Sequence, residues 1–460
     1  MKKNKFIGDK SFYKMVFAVV IPIVVQNAIT CFVGLLDNIM VGRIGTEQMS
    51  GVAIANQLIF IFNLAIFGGI SGPGIFGAQF HGNKDTEGVR NTLRYKLWLC
   101  ISMLIICLFV LGFWGESLIS LFLNESADGG NLALTLQQGR LYMNTMLWGL
   151  LPFTLSQSIA STLRETGETV LPMKAGIAAV FINLIFNYIL IFGNFGFPQM
   201  GVKGAALATV ISRYAELLII AVVMIKHKEN YPFAKGLFKT LKIPSKLIKD
   251  ITIKGSPLMI NEIMWSMGMS AIMQCYSVRG LNAVAALNIA QTAANLFDIT
   301  FMSMGSAISI IVGQQLGAGE KEKARDTDTK LIVFGLMDCV VFGLLLAFTA
   351  PFIPNIYNTT EAVKNLATNF LLVRAGFMGV YSFVHCCYYT LRTGGKTFIT
   401  FLFDSVFTWV VCIPIAYSLA HFTNLSITAI YAGVQAVDLI KCATGFYLVK
   451  KGDWLNNLVK

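Results

Sequence analysis

The stretch MVFAVVIPIVVQNAITCFVGLL, residues 15–36, runs for 22 residues without a charged side chain. A helix needs about 20 mainly apolar residues to cross the hydrocarbon core of a membrane, so this stretch predicts a membrane-spanning helix. We do not expect a cleaved signal peptide, because the apolar run is too long and no small-residue cleavage site precedes Asp37. Similar charge-free runs occur at 97–115 and 175–202, which indicates a chain with many such helices.

The composition supports a lipid-solvated chain. Of its 460 residues, 55% are hydrophobic and 13% are charged, whereas an ordinary soluble domain carries roughly 25% charged residues. Disorder, a secreted disulfide scaffold and a nucleic-acid-binding domain are excluded on this ground. The net charge of +12 therefore indicates membrane topology, and the expected partners are the lipid bilayer and small molecules, with no nucleic acid.

The same span rule predicts twelve membrane helices along the chain. They lie near 15–38, 52–76, 97–114, 140–161, 175–193, 204–225, 255–276, 283–312, 331–350, 367–389, 398–419 and 427–449. With the N-terminus inside, 28 of the 36 Lys and Arg residues fall on the inside and five on the outside. This asymmetry satisfies the positive-inside rule, so both termini are predicted to be cytoplasmic in a multi-pass protein of the cell membrane.

The two halves of the chain resemble each other. GNKDTEGVRNT at 82–92 returns as GAGEKEKARDT at 317–327, and TLRETGET at 162–169 returns as TLRTGGKT at 390–397. Each half holds six spans, an even number, so both enter the membrane in the same orientation and are related by a pseudo-two-fold axis along the membrane normal. We predict an all-α fold with an N-lobe at 1–225, a basic cytoplasmic linker at 226–254 and a C-lobe at 255–460.

The sequence resembles the multidrug and toxic compound extrusion (MATE) family along essentially its whole length. The marks are DNIMVGRIG at 37–45, GQQLG at 313–317 and the paired Leu-Arg blocks at 163–167 and 391–395. The stretch from Asn183 to Thr209 is similar to the fifth and sixth helices of the DinF-like branch. The resemblance implies a two-lobe antiporter, in which H⁺ or Na⁺ runs inward as drugs or metabolites leave. We expect a monomer without a cofactor.

The resemblance also implies a cation-coupling site in the N-lobe. It is formed by the positions of Asp37, Asn183, Asn187, Ala205 through its backbone carbonyl, and Thr209, with Na⁺ held at the first three. Taken by themselves, Asp37 could lie at the outer interface, and Asn183 and Asn187, one turn apart, could simply bond neighbouring helices. The family often has Asp at position 187; Asn here leaves Asp37 as the one carboxylate of the set and leaves the stoichiometry open.

The C-lobe carries further polar residues within its spans, and an ionisable group inside a membrane is a functional candidate. A substrate site or second coupling site is predicted at Glu262, Trp265, Asp404, His385 and, at the repeat position of His385, Gln157. In another branch of the family, the position that aligns with Trp265 is occupied by an essential acid. Asp438 and Lys441 stand three residues apart and are predicted to neutralise each other. No role is assigned to Asp298 or Asp338.

These residues distinguish between three candidate functions. A cation-coupled exporter of organic compounds fits best, because acids outnumber bases within the spans and acids suit cationic cargo. A flippase for lipid-linked saccharides on the same architecture is the alternative, although such proteins usually carry several cationic residues for pyrophosphate. A membrane-embedded enzyme would need a D-D-x-x-D, H-E-x-x-H or Gly-x-Gly-Asp site, and the sequence has none.

Overall fold

The computed structural model describes residues 6–123, 131–240, 242–357 and 359–460. These residues form helices and connecting turns, and no β-strand occurs among them. Twelve long helices are found there, numbered in chain order: α1 Lys10–Gly42, α2 Thr46–Gly82, α3 Thr86–Ser120, α4 Leu132–Glu165, α5 Val170–Phe192, α6 Val202–Lys226, α7 Ser245–Ser277, α8 Leu281–Gly317, α9 Lys321–Thr349, α10 Glu361–Thr393, α11 Thr397–Phe422 and α12 Ile427–Lys451.

Each of the twelve predicted spans coincides with one of these helices, and two of them, 175–193 and 331–350, extend one residue past the helix end, which confirms the predicted fold class. In the described part of the chain, ten helices are long and apolar enough to cross a membrane by composition alone. The other two, α4 and α7, are more polar: α4 contains the run SQSIAST at 156–162, and α7 contains the Asn261-Glu262 pair. Helices with charged or hydroxyl-bearing side chains are stable in a membrane when their polar faces pack against other helices.

Helix α11 departs from regular α-helical geometry. Leu402–Val406 and Thr408–Cys412 are both π-helical turns. A π-turn shifts the i→i−4 hydrogen-bonding pattern and frees backbone groups for side-chain partners, and such turns often mark functional sites. Asp404 stands in the first of them.

The described residues pack into two compact units. We call them unit N, comprising Val25–Gly77 and Thr86–Lys249, and unit C, comprising Met1–Val24, Ala78–Asp85 and Asp250–Lys460. These units differ from the expected lobes at the described residues up to Val24 and at residues 78–85, which pack in unit C and not in unit N. The division at Lys249 falls within the predicted linker.

The end of α2 packs in unit C because it crosses α8 so closely that the two helix backbones are in van der Waals contact. A Cβ on Gly82 would overlap the backbone of Gln314, and one on Gly317 would overlap the backbone of Gln79. The two glycines occupy equivalent places in the repeated stretches. Small residues at helix crossings let membrane helices approach in this way, and here they tie the end of α2 to unit C.

The C-terminal residues cover this crossing through Gln79. The Gln79 Nε2 atom donates to the carbonyls of Thr393 at 3.2 Å and Asn456 at 3.3 Å, and its Oε1 atom accepts from the Leu458 N–H at 2.7 Å. Trp454, which is almost fully buried, holds the start of the same tail. The tail after α12 is therefore an integral part of unit C.

Unit N contains a buried ion pair that the sequence analysis missed. The Lys96 ammonium has no exposed surface and lies 2.6 Å from both oxygens of Glu165. It also donates to Ser161 at 2.9 Å and Thr162 at 3.0 Å. A charge-free-run rule ends a span at the first lysine, so it placed Lys96 in a loop, whereas α3 begins ten residues earlier at Thr86.

The glycine crossing predicts the effect of one added methyl group. We expect Gly317→Ala to lower the melting temperature of the purified protein, since a clash in a packed interior costs about 1–3 kcal/mol. The control is Gly376→Ala in α10, where a Cβ meets nothing within 4 Å and the better helix propensity of Ala gains up to about 1 kcal/mol. Thermal shifts of equal size and sign in the two variants would contradict the crossing.

The buried ion pair predicts that removing its two charges has strongly non-additive effects on the stability of the protein. Lys96→Met leaves a buried Glu165 carboxylate uncompensated and should destabilise the protein by about 3–5 kcal/mol. The double variant Lys96→Met/Glu165→Gln removes both charges and should recover much of that loss. Denaturation of the single and double variants measures this, and a double variant less stable than Lys96→Met would refute the pairing.

Candidate functional site

In unit N, three helices bring all five predicted cation-coupling residues into one hydrogen-bonded chain. Asp37 on α1 accepts from the Asn187 Nδ2 atom at 2.5 Å, and the same nitrogen lies 3.1 Å from the Asn183 Oδ1 atom. The Asn183 Nδ2 atom donates to the Thr209 hydroxyl at 3.2 Å, which donates in turn to the Ala205 carbonyl at 3.1 Å. The order follows from helical spacing, because Asn183 and Asn187 share a face of α5 and Ala205 and Thr209 share a face of α6.

The amide of Asn183 can also be placed the other way round. Its nitrogen then donates to the two Asp37 oxygens at 3.0 and 3.3 Å, and its oxygen accepts from the Thr209 hydroxyl at 3.2 Å. Amide orientation is assigned from such networks. Both orientations keep Asn183 between the carboxylate and the hydroxyl, but in the second one Asn183 bonds Asp37 directly, and the Thr209 hydroxyl donates its one proton to Asn183 in place of the Ala205 carbonyl.

Two features of this hydrogen-bonded network suit it to bind a cation. The Asn187 Oδ1 atom is buried without a hydrogen-bond partner among the described residues, and Asn187 itself is 1% exposed. Nor does any described Lys or Arg form an ion pair with Asp37. A carboxylate, an unpartnered amide oxygen, a hydroxyl and a backbone carbonyl are hard oxygen donors, which suit a hard cation. The described residues contain no cluster of three or more His, Cys, Asp or Glu side chains that could hold a metal ion in another way.

A second polar cluster lies in unit C, where α7 meets the first π-turn of α11. The Asn261 Nδ2 atom donates to Asp404 at 3.0 Å and lies 3.3 Å from the Tyr388 hydroxyl. The Asn261 Oδ1 atom accepts from the Ser405 hydroxyl at 2.7 Å and from the Ser405 N–H at 3.3 Å. That N–H is a backbone donor within the π-turn, so Asn261 both satisfies the distorted helix and fixes the carboxylate.

Lys441 on α12 completes this cluster. Its ammonium lies 3.5 Å from the Asp404 Oδ1 atom and 3.8 Å from the Asp438 Oδ1 atom. The predicted Asp438 and Lys441 pair therefore exists, but the nearer partner is Asp404, which is 37 residues away. The i, i+3 spacing revealed the first contact, and nothing in the sequence indicated the second.

The other predicted substrate residues do not join the hydrogen bonds of Asp404 among the described residues. Glu262 is half-buried beside Asn261, and Trp265 is 40% exposed one turn further along α7. The His385 ring packs against Phe301 and Tyr389. Gln157 is half-buried on α4 in unit N.

Asp298, for which the sequence suggested no role, forms an ion pair with Arg374 on α10. The guanidinium of Arg374 also lies 5.0 Å from the centre of the Tyr381 ring. Asp338 is half-buried on α9, away from both clusters in the hydrogen-bond network. Asp298 is therefore a compensated charge within the membrane.

Among the described residues, ten helices apolar enough to cross a membrane, two more polar helices and buried polar clusters within them are the features of a multi-pass membrane transport protein. The chain belongs to the MatE family, whose model matches residues 22–189 and 257–418. The family's members are transporters, and so this chain is a transporter and not an enzyme.

Relatives and solved structures agree with this assignment. The chain is 24% identical over 446 residues to the probable multidrug resistance protein NorM of Thermotoga maritima, covering 96% of this chain and 93% of that protein. It is 24% identical over 440 residues to the probable multidrug resistance protein YoeA of Bacillus subtilis, covering 95% and 92%. A structure described as the outward-facing conformation of a multidrug resistance MATE family transporter has the same fold, with a TM-score of 0.85, 20% identity and 97% of each chain covered. The DinF-like branch stays a prediction.

Proposed function

We propose that this transporter exports organic cations in exchange for Na⁺, and that Na⁺ binds at Asp37. The unpartnered Asn187 oxygen beside a carboxylate that lacks a counter-charge carries this proposal. The H⁺-coupled version would need the Asp37 carboxyl alone and would leave the Asn187 oxygen without a function.

The donor set favours Na⁺ for a physical reason. An uncompensated carboxylate within a membrane helix is costly, which makes it a candidate for binding a cation. The hydrogen-bonded chain from Asp37 to the Ala205 carbonyl already holds the ligands in place, so little ordering is needed when the ion arrives. Bound Na⁺ would contact Asp37, the Asn187 oxygen and the Thr209 hydroxyl in exchange for part of this network.

Antiport follows if the ion and the cargo favour different states of the transporter. A ligand shifts a conformational equilibrium by its difference in affinity for the two states. Na⁺ bound at Asp37 would stabilise the state with low affinity for the organic cation, and release of Na⁺ to the cytoplasm would restore the state with high affinity. The inward Na⁺ gradient then drives export.

The nature of the cargo rests on charge and on the relatives. Acids outnumber bases within the spans, which favours positively charged compounds. The relatives carry the names of multidrug resistance proteins, and this does not favour the lipid-linked saccharide alternative. We further propose a monomer in the cell membrane with both termini in the cytoplasm, in line with the positive-inside count.

The role of Asp37 is tested by ethidium transport into or out of reconstituted vesicles, with a Na⁺ gradient and a pH gradient imposed separately. Wild-type protein should transport ethidium under the Na⁺ gradient. The rate of this transport should fall by about tenfold or more in Asp37→Asn, because the substitution removes the anionic ligand. Asp338→Asn, an acid within a span outside both clusters, is the matched control and should transport normally. Unchanged transport in Asp37→Asn would contradict the proposed site.

The choice of Na⁺ over H⁺ is tested at Asn187. Asn187→Leu removes an oxygen ligand of the ion but leaves the Asp37 carboxyl in place, so Na⁺-driven transport should fall at least about tenfold. The Na⁺ assignment would be overturned in favour of H⁺ if the pH gradient drove transport, and if that transport were unchanged in Asn187→Leu but abolished in Asp37→Asn.

A further inference from the structure

The cluster around Lys441 in unit C has an unequal charge count. One ammonium lies between two carboxylates, at 3.5 Å from Asp404 and 3.8 Å from Asp438. The same nitrogen is 5.3 Å from the centre of the Phe407 ring. With both acids ionised, the cluster carries one net negative charge, and an aromatic face lies beside it, a combination that attracts cations.

The two carboxylates of the cluster are more exposed than its ammonium. The Lys441 side chain is 8% exposed, whereas the side chains of Asp404 and Asp438 are 22% and 23% exposed. A carboxylate facing hydrocarbon is strongly disfavoured, so we expect the exposed sides of the two acids to face water and not lipid. A dissolved ligand that approaches from this water meets the carboxylates first.

The Asp404 carboxylate is held rigidly for such an encounter. Its Oδ2 atom accepts from the buried Asn261, which also contacts Ser405 in the π-turn and the Tyr388 hydroxyl. The Oδ1 atom is thereby directed to Lys441. This support by buried side chains and a distorted helix distinguishes the cluster from charges that are merely solvated at a surface, because it fixes one carboxylate in a single orientation.

The corresponding place in unit N has a different charge. Arg213 and Glu216 lie 11 and 14 residues after the start of α6 at Val202, as Asp438 and Lys441 lie 11 and 14 residues after the start of α12 at Ile427. The order of the charges is reversed, yet both pairs are neutral. The added acid of unit C is Asp404.

The repeat also identifies the counterpart of Asp404. Asp404 lies seven residues after Thr397, and Gly176 lies seven residues after the equivalent Thr169. A Cβ on Gly176 would lie 3.0 Å from the Gln26 side chain, and Gln26 follows Pro22 as Asn261 follows Pro257. The same helix contact thus exists in both units, and the second half alone places a carboxylate in it.

We propose that this cluster binds the charged group of the exported compound and that Lys441 determines how many positive charges the compound carries. Lys441 cancels one of the two carboxylates and leaves a single negative charge, which matches a monovalent organic cation. Without Lys441 the cluster would carry two negative charges and match a divalent organic cation. This inference rests on the proposed export of organic cations and adds a specificity-determining residue to it.

The test measures equilibrium binding of ethidium, a monovalent cation, and methyl viologen, a divalent cation, to the purified full-length protein by isothermal titration calorimetry. Wild-type protein should prefer ethidium. Lys441→Met, which keeps the length of the side chain and removes its charge, should shift the ratio of the two affinities toward methyl viologen by about tenfold or more. Asp438→Asn/Lys441→Met restores one net negative charge and should restore the wild-type ratio.

Each other outcome overturns the proposal. An affinity ratio that is the same in wild type and Lys441→Met excludes Lys441 as the determinant, as does a double variant that keeps the shifted ratio. Wild-type protein that binds neither cation excludes the cluster as their site. If Lys441→Met does not fold, as judged by gel filtration, Lys441→Gln takes its place with the same expected shift. Because binding is measured without an ion gradient, failure of the Asp37 mechanism would leave this result unchanged, and the two failures are distinguishable.

Discussion

A charge within a membrane helix has to be compensated, and this constraint organises the structure. Lys96 is compensated by Glu165 and Arg374 by Asp298, each pair linking two helices of one unit. Lys441 is shared between two acids. Asp37 is the exception among these, since its partners in the described residues are neutral amides. The paired charges link the helices, and the carboxylate without a counter-charge is the one that we propose binds the transported ion.

The fold could be predicted from sequence because the membrane imposes a simple rule on composition. Long, mainly apolar runs located all twelve helices, and helical periodicity placed Asn183 and Asn187 on one face of α5, where the structure has them. The same rule failed at Lys96, since a lysine that is fully paired inside the protein cannot be told from a loop lysine by sequence alone. Contacts between distant residues were equally invisible, as for Asp404 and Lys441.

The division into units differed from the expected lobes for a related reason. A boundary drawn from a repeat assigns whole helices to one half, but the glycine crossing of α2 and α8 and the hydrogen bonds of Gln79 bring the end of α2 into unit C. The repeat marked Gly82 and Gly317 as equivalent residues. That they lie against each other's helices depends on packing, which the sequence does not encode in any local pattern.

Direct binding of the transported ion by Asp37 is tested by equilibrium binding of ²²Na⁺ to the purified protein, without any assumption about cargo. We expect saturable binding of about one ion per chain, competition by protons, and loss of binding in Asp37→Asn. Binding that is unchanged in Asp37→Asn, or the absence of saturable binding in the wild type, would contradict it.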